Sequence, residues 1–413
     1  MPGSGRIARM TNFTVRPVAE GEERACHTVL AQSLHAQPCS DERWEAVRGS
    51  FPAEGKFAAF AGETPIGIVS SFDAGLLVPG GAVVSAAGVD GVGVRADWTR
   101  RGVLTAMMAE QLPDFVRRGH VLASLYASEA TIYGRFGYGA ATYGRTVLIP
   151  KPQAQWRPEV PTNGRVRFLP QDEAVKLVPE IYRSIGLHRP GMMTRPDVWW
   201  PAGFDSRLGT GGCRAIVHTG PDGDDGYAVY SIVDQRSFAA PVTGAAVEIR
   251  ELQAKTPEAV ASLWRFLLGI DLVSAVRGHY RPLDEPIAGM LTDSRSCQVI
   301  GVADELWVRL LDVEAALNAR TYFDAEPVVL DVRDRRLPAN SGLYRVGPDG
   351  TRRVDAAPDV RLDVDALGMM YLGEWRASAL AQCGRVEVLD PAALPRLDEL
   401  FRSATKAWCG TNF

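Results

Sequence analysis

Apolar and polar positions in the first 150 residues alternate between the repeat of a strand and that of a helix. Alternating runs predict strands at residues 13–18, 56–61 and 65–70, with a tight turn at 62–64 between the last two. Apolar side chains between residues 102 and 118 recur every three or four positions, which predicts a helix. A strand at 121–126 and a short helix at 132–136 complete this first unit.

Two further segments repeat the mixture of strands and helices. A proline-rich stretch at 151–164 reads as a linker, and the second segment runs from residue 166 to about 295. The third begins near residue 305 with another strand–helix pair. The pattern therefore predicts an α+β protein of three domains, at residues 1–155, 156–300 and 301–413.

Composition and charge narrow the class of protein. The net charge of −4 gives no reason to expect binding to nucleic acid or to an anionic membrane. No apolar run approaches the ~20 residues of a membrane helix, and residues 1–13 do not resemble a signal peptide. The six cysteines lack metal-ligand spacing, which predicts reduced thiols and no metal site. We expect a cytoplasmic protein.

The first candidate binding site lies at residues 92–104, where a strand is followed by a basic turn and by the helix that starts at Gly102. Unpaired N–H groups and the helix dipole favour an anion there, and glycine allows close approach. Arg100 and Arg101 add positive charge that suits phosphate. A basic, glycine-containing helix start can equally be an ordinary solvated helix end, so the pattern needs a second signal.

The second signal is the stretch 125–139, which contains Tyr133. Together the two stretches resemble the GNAT acetyltransferase superfamily, in which the strand–turn–helix grips acetyl-CoA and a tyrosine protonates the departing thiolate. The resemblance implies that the strand residues bind the acetyl carbonyl and pantetheine, that the turn and helix start hold the pyrophosphate, and that two later residues line the opposite side. In that order the residues are Val92, Gly93 and Val94; Arg100, Arg101, Gly102, Val103 and Leu104; and Ser128 and Thr131.

The run 132–139, the later segment 367–373 and the ending 411–413 resemble more specifically the enhanced intracellular survival (Eis) acetyltransferases. That resemblance implies two tandem GNAT-fold regions followed by a sterol-carrier-protein-like domain, assembled as a homohexamer. It implies that Tyr133 is the general acid and that the terminal carboxylate of Phe413 is the base. Trp44, Tyr126 and Asn412 would contact the substrate, although a helical tryptophan is also typical of a core.

The expected activity is transfer of acetyl from acetyl-CoA to a primary amine of a small molecule, such as an aminoglycoside or another polyamine, or of a lysine. No Cys/His or Ser/His/Asp set suggests an acyl-enzyme, which favours direct attack. Asn412 stands where family members often have glutamate, which predicts a less anionic pocket. The alternative is a non-catalytic protein that binds acyl-CoA or an apolar ligand. The third domain would then carry a ligand, whereas in the enzyme it supports Phe413.

Overall fold

The computed structural model describes residues 12–209, 212–234 and 244–413. Residues 1–11, which the sequence suggests are not a signal peptide, lie outside the described residues. None of the helices in the described ranges is long and apolar enough to cross a membrane. No disulfide bond joins any of the six cysteines, all of which lie within the described ranges.

Residues 12–150 contain seven strands and four α-helices. The strands are β1 (Thr14–Pro17), β2 (Phe57–Ala61), β3 (Thr64–Leu77), β4 (Val83–Val94), β5 (Leu122–Tyr126), β6 (Gly139–Ala140) and β7 (Tyr143–Pro150). The helices are α1 (Glu23–Ser33), α2 (Asp41–Val47), α3 (Val103–Arg117) and α4 (Ala130–Tyr133).

The middle of the chain continues with strands and helices in alternation. The strands are β8 (Arg165–Leu169), β9 (Arg214–Gly220), β10 (Gly223–Asp234), β11 (Ala245–Ala254), β12 (Ala275–Pro282) and β13 (Gln298–Asp304). The helices are α5 (Gln171–Ile185), α6 (Ser206–Gly209), α7 (Pro257–Gly269) and α8 (Ile287–Met290), with a π-helical turn at Pro201–Asp205 before α6.

The last part begins with a strand and ends with a helix, followed by residues 402–413, which have no regular secondary structure and are called the tail below. Its strands are β14 (Leu306–Leu310), β15 (Val328–Arg333), β16 (Gly342–Gly347), β17 (Gly350–Arg353), β18 (Val360–Asp363) and β19 (Val386–Val388). Its helices are α9 (Val313–Ala319), α10 (Val364–Tyr371), α11 (Ala377–Gln382) and α12 (Ala393–Leu400).

Local sequence explains where several of these helices begin. The Thr256 hydroxyl accepts the N–H of Ala259 at 3.2 Å and Pro257 follows at the first helical position, so α7 begins with a cap and a fixed φ. The apolar stripe of α7, which includes Leu263 and Trp264, is then fully buried. Asp312 caps α9 in the same way, accepting from the N–H of Ala315.

Strand pairing divides the chain differently from the predicted boundaries at 155/156 and 300/301. The first sheet has the order β1-β2-β3-β4-β5-β14-β6, the second β13-β7-β12-β11-β10-β9-β8, and the third β17-β16-β15-β18-β19. Thus β7, inside the predicted first domain, pairs in the second sheet, and β14, inside the predicted third domain, pairs in the first. A boundary drawn along the chain cannot represent this exchange, because backbone pairing joins segments far apart in sequence.

The inserted strand β14 also fixes the third sheet and its helices to the first sheet. Helix α10 lies so close to β6 and β14 that a Cβ on Gly139 would be 2.0 Å from the carbonyl oxygen of Asp365. On the other side of the same contact, a Cβ on Gly368 would be 2.5 Å from the carbonyl oxygen of Val308. A fully buried ion pair between Arg309 and Asp334, 2.7 Å apart, adds a charged link. The third domain is therefore part of the scaffold around the first.

Candidate active site

The first feature of the site is a split between two neighbouring parallel strands. Strands β4 and β5 pair only from Ala86 with Leu122 to Val89 with Leu125, although β4 continues to Val94. At that point Val89 and Asp90 together oppose a single residue of β3, because the register slips between Ser70 and Phe72. Such a bulge bends its strand, so β4 turns away from β5 and leaves a gap between them.

Helix α1 closes over the far end of β4. A Cβ on Gly93 would lie 2.2 Å from the Ser33 hydroxyl, and one on Gly91 would lie 2.8 Å from the Leu30 side chain. The two glycines therefore allow the helix to lie directly against the bent strand. Ser33 and Leu34 in consequence form a wall of the gap.

A cleft of ≈ 710 Å³ extends from this gap to the start of α3. At its outer end Gly102 has φ +88°, a left-handed conformation, and a Cβ there would meet no atom within 4 Å. Gly102 thus opens the helix and leaves room for a ligand. The first-turn N–H groups of α3 have no helical partners and carry the positive end of the dipole, so this end of the cleft suits an anion.

Eight of the ten residues predicted to bind a cofactor line this cleft. They are Val92, Gly93, Val94, Arg100, Gly102, Val103, Leu104 and Ser128. Arg101 is exposed and its guanidinium lies 5.0 Å from the centre of the Trp98 ring, outside the cleft lining. Thr131 is exposed on α4 and does not line the cleft either. Residues not foreseen in the lining include Thr105, Glu129 and Arg135.

Tyr133 lies where the cleft meets a second cavity, the inner pocket. Its side chain is only 5% exposed, and its ring packs edge-on to Tyr138 at 6.2 Å. Burial raises the pKa of the Tyr133 phenol above its ordinary value, with a smaller opposing effect from the Ser128 hydroxyl. The phenol is therefore a proton donor over the whole neutral range.

The inner pocket has a volume of ≈ 310 Å³ and shares Leu34, Val92, Ser128 and Tyr133 with the cleft. Its remaining walls come from all three parts of the chain and include Asp90, Tyr126, Tyr280, Asp304, Glu305, Asn412 and Phe413. Sequence analysis foresaw Tyr126, Asn412 and Phe413 at this place. The pocket thus brings the last residues of the chain to the inner end of the cleft.

Phe413 is held by two aromatic rings of the first sheet. Its ring centre is 5.3 Å from that of Phe72 and 5.2 Å from that of Tyr126, both in edge-on geometry. These contacts fix the side chain of Phe413 from either side at the wall of the inner pocket.

Glu305 holds the backbone of the tail where it enters the pocket. Its carboxylate accepts the N–H of Gly410 at 2.9 Å and that of Cys409 at 3.2 Å, and it also accepts the hydroxyls of Tyr126 and Thr142. The side chain is 1% exposed, and burial raises the pKa of the Glu305 carboxyl against the effect of these four donors. One carboxylate thereby links β5, the turn after β6 and the tail.

The second part of the chain contacts the same stretch of tail from the other side, through α5, the segment after it and β11. The carbonyl oxygen of Gly410 accepts from Arg195 and from Gln253, each at 3.2 Å. The hydroxyl of Thr411 accepts from the Arg195 guanidinium at 3.1 Å and lies 3.3 Å from the hydroxyl of Tyr182. Sequence reasoning missed Glu305, Arg195 and Gln253, because each acts on a residue more than a hundred positions away.

Trp44 is placed apart from these cavities. The side chain is buried in a cluster with Val18, Cys26 and Phe51, and its ring lies 5.3 Å from that of His27. It is absent from the residues that line the cleft and the inner pocket. The structure therefore places Trp44 in the core beneath α1 and in the wall of neither the cleft nor the inner pocket.

Asp90 faces the inner pocket from the bulge of β4. Although the Asp90 residue is exposed on the pocket side, partial removal from water raises the pKa of its carboxyl, opposed first by the Ser70 hydroxyl and then by Lys56. A bound ammonium group would offset that removal from water by supplying an opposite charge. Among the described residues there is no group of three or more His, Cys, Asp or Glu side chains that could hold a metal ion.

A split β-sheet beside a glycine-opened helix, with a buried tyrosine at the junction, defines a GNAT-type acetyltransferase. Models of the acetyltransferase (GNAT) domain match residues 14–141 and 191–310, and a model of the sterol carrier protein domain matches residues 313–410. The predicted α+β fold, with two tandem GNAT regions and a sterol-carrier-protein-like domain, is confirmed.

Relatives of full length narrow the class further. The chain is 34% identical to the N-acetyltransferase Eis of Mycobacterium tuberculosis over 91% of this chain and 93% of that one. An uncharacterized N-acetyltransferase of Streptomyces avermitilis is 34% identical over 98% of this chain and its own whole length. The chain belongs to the Eis family of N-acetyltransferases, as the resemblance in the sequence predicted, and the enzyme is favoured over a non-catalytic binder.

Solved structures agree with this assignment. The crystal structure of Eis1 from Mycobacterium abscessus superposes with a TM-score of 0.86 at 34% identity, covering 97% of this chain and all of that one. A GCN5-related N-acetyltransferase from Anabaena variabilis reaches a TM-score of 0.83 over 97% of this chain and all of its own, at 19% identity, which shows a shared fold.

Replacing Glu305 with glutamine tests the link between tail and sheet. The amide keeps one acceptor oxygen and turns an NH₂ group towards two of the four donors, which leaves buried groups unpaired at a cost of about 1–3 kcal/mol. We expect a lower kcat at an unchanged KM for the acetyl donor, because the tail shifts and the cleft does not. Steady-state kinetics and denaturant unfolding measure the two effects, with Glu63→Gln in an exposed turn as control. A fall in stability without loss of kcat would contradict a role in placing the tail.

Proposed function

We propose that this enzyme transfers the acetyl group of acetyl-CoA to a primary amine of a small molecule by direct attack. The observation that carries the proposal is that Tyr133 and the terminal residue Phe413 line one pocket, which opens onto the inner end of the cleft. This shared pocket supports a reaction in which Tyr133 donates a proton and the carboxylate of Phe413 accepts one, where an amine would meet a thioester.

The shape of the cleft supports acetyl-CoA as the donor. Its outer end, at Gly102 and the first turn of α3, offers N–H groups and open space to the pyrophosphate. Its inner part lies between the separated strands β4 and β5, where a pantetheine arm would run past Val92, Val94 and Ser128. The thioester would then lie at the junction with the inner pocket, beside Tyr133.

The separated strand supplies donors for the oxyanion. Beyond Val89, β4 pairs with β3 but no longer with β5, so its N–H groups on the β5 side have no strand partner. Such fixed donors in a site with little water stabilise the charge that develops on the acetyl oxygen. We assign this role to the backbone between Val92 and Val94.

Proton transfers complete the reaction. The amine attacks in its neutral form, and its nitrogen becomes acidic as it bonds to the acetyl carbon. The carboxylate of Phe413, although a far weaker base than a free amine, then takes the surplus proton of that nitrogen through a water molecule. A bond forms between the amine nitrogen and the acetyl carbon while the bond from that carbon to sulfur breaks. The Tyr133 phenol gives its proton to the departing thiolate, and the products are the N-acetyl amine and CoA.

Thiol release with a panel of amines tests the proposal. The panel contains an aminoglycoside, a linear polyamine, a lysine peptide and small monoamines, and product masses show how many acetyl groups each acceptor receives. Thiol release that depends on an amine, with a product heavier by one or more acetyl groups, supports the proposal. Absence of thiol release with every amine would contradict it.

The Tyr133→Phe variant removes the acid and keeps the ring. General acid catalysis typically contributes 10²–10⁴-fold, so we expect kcat to fall by roughly 10² or more with acetyl-CoA binding retained. Because burial raises the pKa of Tyr133, the wild-type phenol stays protonated as pH rises, and its ionisation should not reduce kcat below about pH 10. Tyr143→Phe on β7, where the ring packs on Trp375, is the control. Equal kcat in Tyr133→Phe and wild type would refute the acid.

One glycine added after Phe413 moves the carboxylate and keeps its charge. We expect kcat to fall by roughly 10² or more, as for loss of a positioned base, while acetyl-CoA binding survives. Phe413→Leu keeps the carboxylate but loses the ring contacts to Phe72 and Tyr126, so it should be less impaired. A glycine added at the amino terminus is the control. Full activity of the extended chain would rule out the carboxylate as base.

We also propose that the chain assembles as a homohexamer. Strand β13 is an edge of the second sheet and exposes Val299, Ile300 and Val302 at 51%, 48% and 59%, an apolar edge of the kind that pairs with another chain. Light scattering should give six times the 44.8 kDa of the chain, and a smaller mass for Val302→Lys. The control is Leu272→Lys, at an apolar side chain exposed elsewhere. A monomeric wild type would contradict the proposal.

A further inference from the structure

The inner pocket continues into two further cavities on the side away from Tyr133. The larger, ≈ 280 Å³, is reached past Asp90 and Phe413 and is walled by Phe72, Trp199 and Arg207. The smaller, ≈ 50 Å³, is reached past Tyr126 and Glu305. Arg207 lines both cavities and lines neither the inner pocket nor the cleft. It therefore stands at the far end of the space an acceptor would fill.

The guanidinium of Arg207 makes few hydrogen bonds for the number of N–H donors it carries. Its one hydrogen bond within the described ranges goes to the carbonyl oxygen of Asn412, at 3.3 Å, and within those ranges it forms no salt bridge with a carboxylate, Phe413 included. Two other arginines of the second part of the chain are paired: Arg195, after α5, with Glu251 at 2.7 Å, and Arg281, on β12, with Glu285 at 2.8 Å.

A charged guanidinium that is partly removed from water and has few hydrogen-bond partners is energetically unfavourable unless a ligand binds to it. Removal from water lowers the pKa of the half-buried Arg207, which means that its surroundings disfavour the charge it carries. A guanidinium offers five N–H donors in a planar fork that matches a carboxylate, sulfonate or phosphate. An anion in either cavity would satisfy the donors that Asn412 leaves free.

The opposite charge lies at the near end of the same space. Asp90 lines both the inner pocket and the larger cavity, so it faces the position of the reacting amine. The larger cavity, which Asp90 and Arg207 both line, also has the rings of Phe72, Trp199 and Phe413 in its walls. A ligand that complements these walls has a cationic end, an apolar middle and an anionic end.

We propose that Arg207 binds an anionic group of the acceptor, so that the preferred acceptors are zwitterionic amines with an apolar or aromatic spacer between amine and anion. This inference rests on the proposed transfer to an amine and names its substrate class. It places a polycation, which would bring positive charge to Arg207, among the poorer acceptors.

Two amines that differ in one carboxylate test the inference. The pair is 4-(2-aminoethyl)benzoate and 2-phenylethylamine, which share the reacting amine and the ring. With the wild type we expect kcat/KM to favour the benzoate by roughly 10- to 100-fold, the range for hydrogen bonds to a charged group. In Arg207→Gln this ratio should fall to about one, and Arg207→Lys should keep part of it. Arg183→Gln, at an exposed arginine of α5 paired with Asp197, should leave the ratio unchanged.

The outcomes separate the inference from the transferase activity. If Arg207 only holds the tail through Asn412, Arg207→Gln lowers kcat/KM for both amines equally and the inference fails. A wild type that prefers 2-phenylethylamine or a linear polyamine overturns it while transfer stands. Calorimetry of the benzoate with the wild type and Arg207→Gln gives a readout without turnover. If the benzoate binds equally to the wild type and to Arg207→Gln, the inference fails, whether or not any amine releases thiol. Absence of thiol release with every amine would instead refute the transfer of acetyl.

Discussion

One buried carboxylate joins the parts of the molecule that make the site. Glu305 receives the N–H groups of Cys409 and Gly410 from the tail and hydroxyl groups from Tyr126 and Thr142. Four donors in a place almost without water require an acceptor with two oxygens, and only a carboxylate supplies both. The end of the chain is thereby fixed against the strand that leads to Tyr133.

The rest of the architecture keeps that link in register. Strand β14 follows Glu305 directly and pairs with β5 along its whole length, so the carboxylate is attached to the sheet that forms the cleft. The close contact of α10 with this sheet and the buried Arg309–Asp334 pair hold the third domain in place, from which the tail departs. Arg195, after α5, and Gln253, on β11, then donate hydrogen bonds to the tail from the second part of the chain. Each domain therefore contributes to a pocket that none could form alone.

The charge pattern around the pocket follows from the same exchange of segments. Asp90 comes from the bulge that opens the cleft, whereas Arg207 comes from the helix of the second part that contacts the tail at Asn412. The sequence predicted a pocket less anionic than that of relatives, in part because Asn412 replaces a glutamate common in the family. The structure adds the guanidinium of Arg207 to the wall of the larger cavity, so that the cavity has a negative group at Asp90 and a positive group at Arg207.

The sequence by itself determined the features that are local. The cleft residues on β4 and α3 lie in one contiguous stretch together with Gly102, which has a left-handed φ. Tyr133 lies in the next stretch that the sequence analysis singled out. A motif of this kind can be recognised from the sequence because its residues are close along the chain. The sequence left two interpretations of Trp44, a substrate contact or a core residue, because a helical pattern does not show what covers a buried face. The structure places its side chain in the core. Only the tertiary structure decided the exchange of β7 and β14, the role of Glu305 and the position of Arg207. These depend on backbone pairing and hydrogen bonds between residues more than a hundred positions apart, which no local pattern encodes.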